Sequence, residues 1–527
     1  MHRVVDLTRR QLAALLLAAP AIAQTRRHVL SIGLSISDTV TFDPARQANY
    51  SPPLTLAAVY DTLVTYVPGS YTGVVPSLAT GWERILDGQG LRFTLRPDVV
   101  FASGAPVTAA DWAFSLNRLR AIGDQPAQFL DAVSSVTAPG PATLEIGLKT
   151  VDAPILGILA SPSYGVLEER VLRRHGGTDE PGADRADRAT EWLNQNSAGT
   201  GPYVLTRWAR NQVVELAANP RSWRGAPGFR RVTILHMADA AAQVRALRRE
   251  EIEVAFNLIP EQIVSLQSDR GMRAESVTSL DFVYLALNGD KSLNPALATQ
   301  KARQAIGYAI DYDGILGRLL GGKAVRPASF LPIGVRGSTE AVARTIGFRQ
   351  DLDQARALLQ EAELGDGFTF ELSYADGAIA GLAMSTLAQK LRTDLGRVGI
   401  KATLQPLDPA AMRTRYLGGR AQASLQFWTQ PVVETRSWAV ASLQRVARRV
   451  GFEPPAALTN LVERAGTEAD GPRQQALWVE YQQAMVEQAH VIVLFQPIYQ
   501  VAMRDTVSAL RLTAAGWMAD LGGVRPG

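Results

Sequence analysis

The sequence predicts an α/β fold divided into more than one compact unit, and three observations carry that expectation. The chain has 527 residues, too many for one hydrophobic core when domains run to about 100–200 residues. Residues 351–404 alternate helix, strand, helix, strand. Leu352, Ala355, Leu358 and Leu359 share one helical face, 368–372 reads as a strand, 383–398 as a long helix and 401–404 as the strand after it. That order builds a sheet with helices packed on it. Two apolar runs, 29–36 (VLSIGLSI) and 282–287 (FVYLAL), read as strands, the second of them buried.

Composition narrows the class. Apolar residues make up 46% and charged residues 20%, ordinary for a soluble globular protein. The net charge is +4, with Arg scattered among acids and no dense basic run interleaved with aromatics, so nucleic acid is not expected as a partner. There is no cysteine, which excludes disulfides, thiolate metal sites, a Cys nucleophile and a lipid-modified Cys after a leader. Arg3, Arg9 and Arg10 precede an apolar run at 12–19, and Ala21-Ile22-Ala23 is an A-x-A site. Residues 1–23 therefore read as a secretory signal, cleaved to leave Gln24. The segment Thr8-Arg9-Arg10-Gln11-Leu12 looks like a twin-arginine signal; Arg pairs also occur in ordinary leaders, so the export route stays open. No later stretch has eighteen consecutive apolar residues, so a soluble, periplasmic chain is expected.

The most legible stretch is 91–119. Leu91, Phe93 and Leu95 alternate with Arg92, Thr94 and Arg96, the period of a half-buried strand. Pro97-Asp98 turns the chain. A short apolar strand at 99–101 follows, then a second turn at Gly104 and Pro106. Thr108 stands three residues before Asp111. A Thr hydroxyl there can accept from free N–H groups of a first helical turn, and the acid suits the positive helix end. The helix then sets Trp112, Leu116 and Leu119 on one face.

Taken together, Phe101, Gly104, Pro106, Val107, Thr108, Ala109 and Asp111, followed by Phe114, Ser115, Arg118 and Leu119, resemble the signature of the family 5 extracytoplasmic solute-binding proteins. These are the binding components of peptide, nickel and related ABC importers. Further elements agree along the chain: Phe42-Asp43-Pro44, Tyr60-Asp61-Thr62-Leu63, Pro76-Ser77-Leu78-Ala79 with Trp82, and Gly199-Thr200-Gly201-Pro202-Tyr203. Asn219-Pro220 with Trp223-Arg224-Gly225 and the run 301–311 (KARQAIGYAID) complete them; Ala302 stands where the family has Val, and Tyr312 where it has Arg. The resemblance spans about residues 42–510.

What the resemblance implies is a two-lobed periplasmic-binding-protein fold, class II-like and of cluster C type, with two α/β lobes, two crossovers and a ligand cleft between. The implied division is lobe I at 24–66, an extra subdomain at 67–196, lobe I again at 197–287, lobe II at 288–496 and a lobe I end at 497–527. Ligand binding is expected to close the lobes by hinge motion. The expected partners are a peptide-like or other small organic solute and an ABC permease in the inner membrane. The chain is expected to be a monomer, with no cofactor and no catalysis.

In peptide binders of this family a W-x-x-D stretch packs its Trp on the ligand and pairs its Asp with the α-amino group. Here Trp428 matches and Pro431 replaces the acid. Burying a ligand ammonium without a partner costs several kcal/mol. That shifts the expectation from free peptides toward modified peptides, opine-like conjugates or metal chelates, unless Glu434 supplies the charge. Tyr50 and Tyr164 lie where the family often contributes contacts. For Trp428, Tyr50 and Tyr164 ordinary packing is an equal alternative. Arg436, like Arg413 and Arg415, can hold a carboxylate through paired hydrogen bonds, with a surface role as the alternative for each.

Other functions find less support. The glycine-rich turn at 199–203 lacks the Lys-Ser/Thr of a phosphate loop. The five His, at 2, 28, 175, 236 and 490, show no ligand spacing. An exported hydrolase would need a nucleophile motif, and no G-x-S-x-G or H-E-x-x-H is present. A sensor or chaperone subunit on the same fold remains an alternative, because fold does not fix function. Residues 175–190 read as a solvated surface loop.

Overall fold

The computed structural model describes residues 28–47, 49, 51–66, 73–150, 155–256, 258–430, 433–468, 470–514 and 519–527. The leader at 1–23, Tyr50 and Pro431 lie outside the described residues.

The chain enters a sheet at β1 (Val29–Leu34) and leaves it for a separate, four-stranded antiparallel sheet. That sheet is made of β2 (Ala79–Ile85), β3 (Gly90–Leu95), β4 (Val133–Gly140) and β5 (Thr143–Leu148), in the order β2-β3-β5-β4. Its helix α1 (Ala109–Ile122) buries Trp112, Leu116 and Leu119, the face the sequence indicates. The start of α1 differs in detail. The Thr108 hydroxyl donates to Asp111 Oδ2 at 2.7 Å, and the same oxygen accepts the Thr108 N–H at 3.0 Å. The carboxylate does the capping because it accepts both protons and suits the positive helix end. The expected strand at 99–101 is reduced to a single bridge between Val100 and Pro106, since Gly104 and Pro106 turn the chain back after too few residues to form a ladder.

The chain then returns to the first sheet. β6 (Tyr203–Ala209), β7 (Val213–Ala218) and β8 (Arg231–His236) follow, then the short β9 (Val254–Ala255), giving the order β6-β7-β8-β1-β9. β1 runs parallel to β8 and to β9. β10 (Met272–Thr278) leads to β11 (Phe282–Leu287), where the second half of the sheet begins. In that half come α2 (Gln300–Ala309), β12 (Ala324–Val325), β13 (Thr369–Ala375), α3 (Met384–Gly396), β14 (Lys401–Leu407), β15 (Ala423–Trp428), α4 (Thr435–Ala441) and α5 (Gly471–Gln488). The order is β14-β13-β15-β11, with β13 parallel to β14 and to β15.

One strand joins the halves. β16 (Val491–Arg504) pairs with β11 at its start, with β12 at 496–497, and with β10 and β9 at its end. The sequence indicates only its apolar opening at 491–495; Gln496, Pro497 and Gln500 break the pattern beyond it. FVYLAL is buried along its whole length because both its faces are covered. Val283, Leu285 and Leu287 face α2 and α3, whereas Phe282, Tyr284 and Ala286 face a core shared by the four-stranded sheet, Phe330 and Trp438.

Candidate functional site

Two strands of chain cross between the halves side by side. Residues 279–281 link β10 to β11, and 496–498 carry β16 across. Ser279 N donates to the Pro497 carbonyl at 3.0 Å. Gln496 Nε2 donates to the Ser279 and Ile333 carbonyls, and its Oε1 accepts from Ile333 N at 2.8 Å. Elsewhere the two halves touch again. The Tyr66 hydroxyl donates to the Val433 carbonyl at 2.8 Å. The Arg445 guanidinium lies 5.5 Å from the Phe129 ring centre. Gly157 packs so closely that an added Cβ would sit 2.7 Å from Tyr66 Oη and 3.3 Å from Glu434 Cβ. The two halves are therefore in contact away from the crossovers as well as at them.

A cavity of about 340 Å3 borders the crossovers, within the size range of small-molecule sites. Phe256, Leu258 and Tyr499 line it from the first half, and Leu320, Lys323 and Ala380 from the second. A second cavity, of about 300 Å3, lies against Tyr66, Arg224 and Arg511. The two share Leu512 and Thr513 as a common wall.

Asp281 lines the first cavity from the crossover itself. It is 7% exposed. The Tyr499 hydroxyl donates to its Oδ2 at 2.7 Å, and the Thr429 hydroxyl also bonds it. Burial pushes its carboxyl up to about 6, against the pull of those two hydroxyls. No cation faces it among the described residues. Several other buried acids have cations, whereas Asp111 at 8% exposure is held by hydrogen bonds from Thr108 and Glu169. Asp43 and Asp187 share Arg118, Asp61 pairs with Arg224, and Asp394 pairs with Lys390. Lys323 lines the same cavity and makes no ion pair among the described residues.

The residues singled out by sequence lie elsewhere. Trp428 ends β15, edge-on to Phe330 at 4.9 Å and with the Arg449 guanidinium 5.9 Å from its ring centre. It borders neither cavity; its partner across β11, Phe282, is the neighbour of Asp281. Tyr164 is 2% exposed, and its hydroxyl donates to the Pro126 carbonyl at 2.9 Å. The structure thus places Tyr164 in a core, not on a cleft wall. Glu434 caps α4, accepting from Arg436 N and Ser437 N at 2.9 Å each. Burial raises its pKa, and those N–H groups with Arg436 and Arg336 oppose the rise. Its carboxylate is turned into the helix end rather than toward a cavity. Arg436 lies on α4 against Gly466, with its Nε buried and unpartnered. Arg415 pairs with Glu371 at 2.8 Å.

The motif residues form scaffold. Arg118 is fully buried and forks onto Asp43 at 2.6 and 2.9 Å and onto Asp187 at 2.8 Å for each of two bonds. Asp187 belongs to the stretch expected to be a solvated loop. It turns inward because the guanidinium has donors that Asp43 does not use, and Asp187 accepts from Nε and Nη2. Three further elements meet at Asp61. Thr200 Oγ1 and Trp223 Nε1 each donate to its Oδ2 at 2.8 Å, and Arg224 pairs with Oδ1 at 2.6 Å. The glycines of that turn are required by crowding: a Cβ on Gly199 would lie 2.1 Å from the Val59 carbonyl oxygen.

Residues 73–441 match the family model described as bacterial extracellular solute-binding proteins, family 5 Middle. The chain belongs to this family. It is 28% identical over 496 residues to the probable D,D-dipeptide-binding periplasmic protein DdpA of Escherichia coli (strain K12), covering 92% of each chain. It is 25% identical to di/tripeptide-binding protein 2 of Pseudomonas aeruginosa (strain UCBPP-PA14), covering 96% of each. Among solved structures, NikA from Brucella suis in complex with Fe(III)-EDTA superposes with a TM-score of 0.80 at 20% identity, over 95% of this chain and 100% of that one; at that identity the likeness shows the fold. The two halves of the long sheet are thus the two lobes of a family 5 solute-binding protein, and the cavity at the crossovers lies between them. Among the described residues, no group of three or more His, Asp or Glu gathers as a metal site, and no helix is long and apolar enough to cross a membrane.

The residues that line the interlobe cavity, Asp281, Lys323 and Tyr499, were missed by sequence reasoning. One signal was available. Asp281 directly precedes a six-residue run without a charge, and an acid abutting a buried strand has to be accommodated by something.

Proposed function

We propose that this chain is the exported, periplasmic solute-binding component of an ABC importer. It closes two lobes over a peptide-like or other small organic solute and presents the closed form to a permease in the inner membrane. The lobes divide near the two crossovers, with residues 67–196 as the subdomain appended to lobe I. The observation that carries this proposal is the interlobe cavity of about 340 Å3, bordered by the paired crossovers at 279–281 and 496–498. A cavity bordered by chain that can flex is one that lobe motion can open and seal. The relatives named for dipeptides and di/tripeptides support a peptide-like solute. The protein binds and releases; it does not turn its solute over.

Native mass spectrometry of the protein from its own periplasm, before and after mild denaturation, tests this directly. A small molecule released on unfolding is expected. Turnover of that molecule by the pure protein would overturn the assignment as a binding component. Binding at about 100 times the dissociation constant should add roughly 2.7 kcal/mol of stability, which a thermal-shift measurement reads.

A further inference from the structure

Building on the solute-binding role, we infer that Asp281, a residue of the crossover itself, is the anchor for a ligand ammonium group, and that the cavity takes a small zwitterion whose acidic end meets Lys323.

Asp281 is more than nine-tenths buried and faces the interlobe cavity. Its contacts are the Tyr499 and Thr429 hydroxyls, both neutral. A buried carboxylate without a cation is costly, because two hydroxyls replace only part of its lost hydration. This chain supplies Arg or Lys to Asp43, Asp61, Asp187 and Asp394. Among the described residues it leaves Asp281 without one, on the wall of a cavity where a solute can bring its own.

Position strengthens the case. Phe282 pairs in register with Trp428 across β11 and β15, so Asp281 and Thr429 stand next to each other one residue further on. Pro431, where an acid could otherwise follow Trp428, has no charge. Asp281 thus brings a carboxylate to the end of β15 from the neighbouring strand. The remaining wall is mostly apolar, and its only other ionisable groups among the described residues are Lys323 and Tyr499. Asp281 and Lys323 make no ion pair with each other or with other described residues, so one negative and one positive charge both stay available. A solute carrying one of each, and small enough for about 340 Å3, satisfies both. Because Asp281 lies between β10 and β11, its neutralisation by ligand acts on the segment about which the lobes move.

The test uses the full exported chain and calorimetric titration with D-Ala-D-Ala and L-Ala-L-Ala, their N-acetylated and C-amidated forms, and Fe(III)-EDTA as an ammonium-free solute. The expected result is binding of at least one free dipeptide, with N-acetylation or Asp281→Asn weakening it by about 30-fold or more. Lys323→Gln should weaken the free dipeptide and leave the amidated form unchanged. The acetylation comparison needs no variant, so a folding defect in Asp281→Asn does not blunt it. Binding of an ammonium-free solute alone, or of a dipeptide equally by wild type and a folded Asp281→Asn, overturns the inference and leaves the solute-binding role standing. No binding of any probe, with no solute released in native mass spectrometry, overturns both.

Discussion

Arg118 and Asp281 are both buried charges, and the chain treats them in opposite ways. At Arg118 both buried carboxylates meet a cation supplied by the chain: one guanidinium, two carboxylates, four charge-assisted hydrogen bonds. At Asp281 the carboxylate receives two hydroxyls and no cation among the described residues. The first arrangement ties α1, which packs on the four-stranded sheet, to the segment after β1. The second leaves an interaction unfinished beside a cavity. The motif residues that identify the family belong to the finished kind, whereas Asp281 is of the unfinished kind and lies outside those motifs.

The contrast breaks most visibly at Arg118. Arg118→Ala would strand Asp43 and Asp187 in the interior, and removing one partner of a buried pair costs about 3–5 kcal/mol. Urea unfolding should show that loss. A loss under about 1 kcal/mol would mean that water reaches the cluster and that the charges are not matched by geometry.

The next effect is a pH dependence. The Asp281 carboxyl rises from 3.8 to about 6. At about 1.4 kcal/mol per pH unit, its charged form is roughly 3 kcal/mol less favourable in the folded chain than in the unfolded one. Between pH 3.8 and 6 the folded chain binds more protons, so this residue makes stability fall as pH rises through that window, then level off. His490 works in the other direction. Burial first, and then Arg303, lower its pKa to about 4, so its contribution rises with pH between about 4 and 6.5. The readout is therefore the difference between wild type and Asp281→Asn, with Tyr499, Thr429 and Lys323 intact. The variant should gain about 2–3 kcal/mol on wild type between pH 4 and pH 7. A constant difference across that range would show that Asp281 is solvated or already paired.

Thr200→Val sharpens the scaffold side at smaller scale. It removes one of the two neutral donors on Asp61 and leaves Trp223 and Arg224 in place. A loss of about 1–2 kcal/mol is expected in thermal unfolding, with ligand affinity unchanged.

How much of this was legible follows the same divide. Local patterning exposes what repeats along the chain. The alternation at 91–95, the face of Trp112, Leu116 and Leu119, and the buried run FVYLAL all appear in the structure as strand, helix and strand. β16 was half legible: its opening is apolar, but Gln496, Pro497 and Gln500 serve the crossover and hide the remaining strand. Asp187 sits in a stretch whose composition is that of solvent-facing loops, and only its distant partner Arg118 brings it inside. The cavity residues were the least legible, because a cavity wall is assembled from segments far apart in sequence. Phe256, Asp281, Lys323 and Tyr499 share a cavity without sharing a pattern. Glu434 shows the opposite error: an acid at a suggestive spacing that caps its own helix.

The smallest effect lies at the far contact between the lobes. The Tyr66 hydroxyl donates to the Val433 carbonyl at 2.8 Å, and this bond exists only while the lobes touch. Tyr66 lies in the core that both halves line, and each half has a further core that does not include it. Tyr66→Phe should therefore leave global unfolding within about 0.5 kcal/mol of wild type. It should remove about 0.5–1.5 kcal/mol from the closed form alone. Because ligand affinity scales with the population of the binding-competent state, that loss appears as a dissociation constant raised by about 2- to 10-fold. Asp281→Asn acts on the ligand charge, so its effect vanishes for an ammonium-free solute; Tyr66→Phe acts on closure, so its effect is the same for every solute. If Tyr66→Phe weakened one solute and spared another, the hydroxyl would be touching ligand, and the second cavity that Tyr66 lines would belong to the binding site.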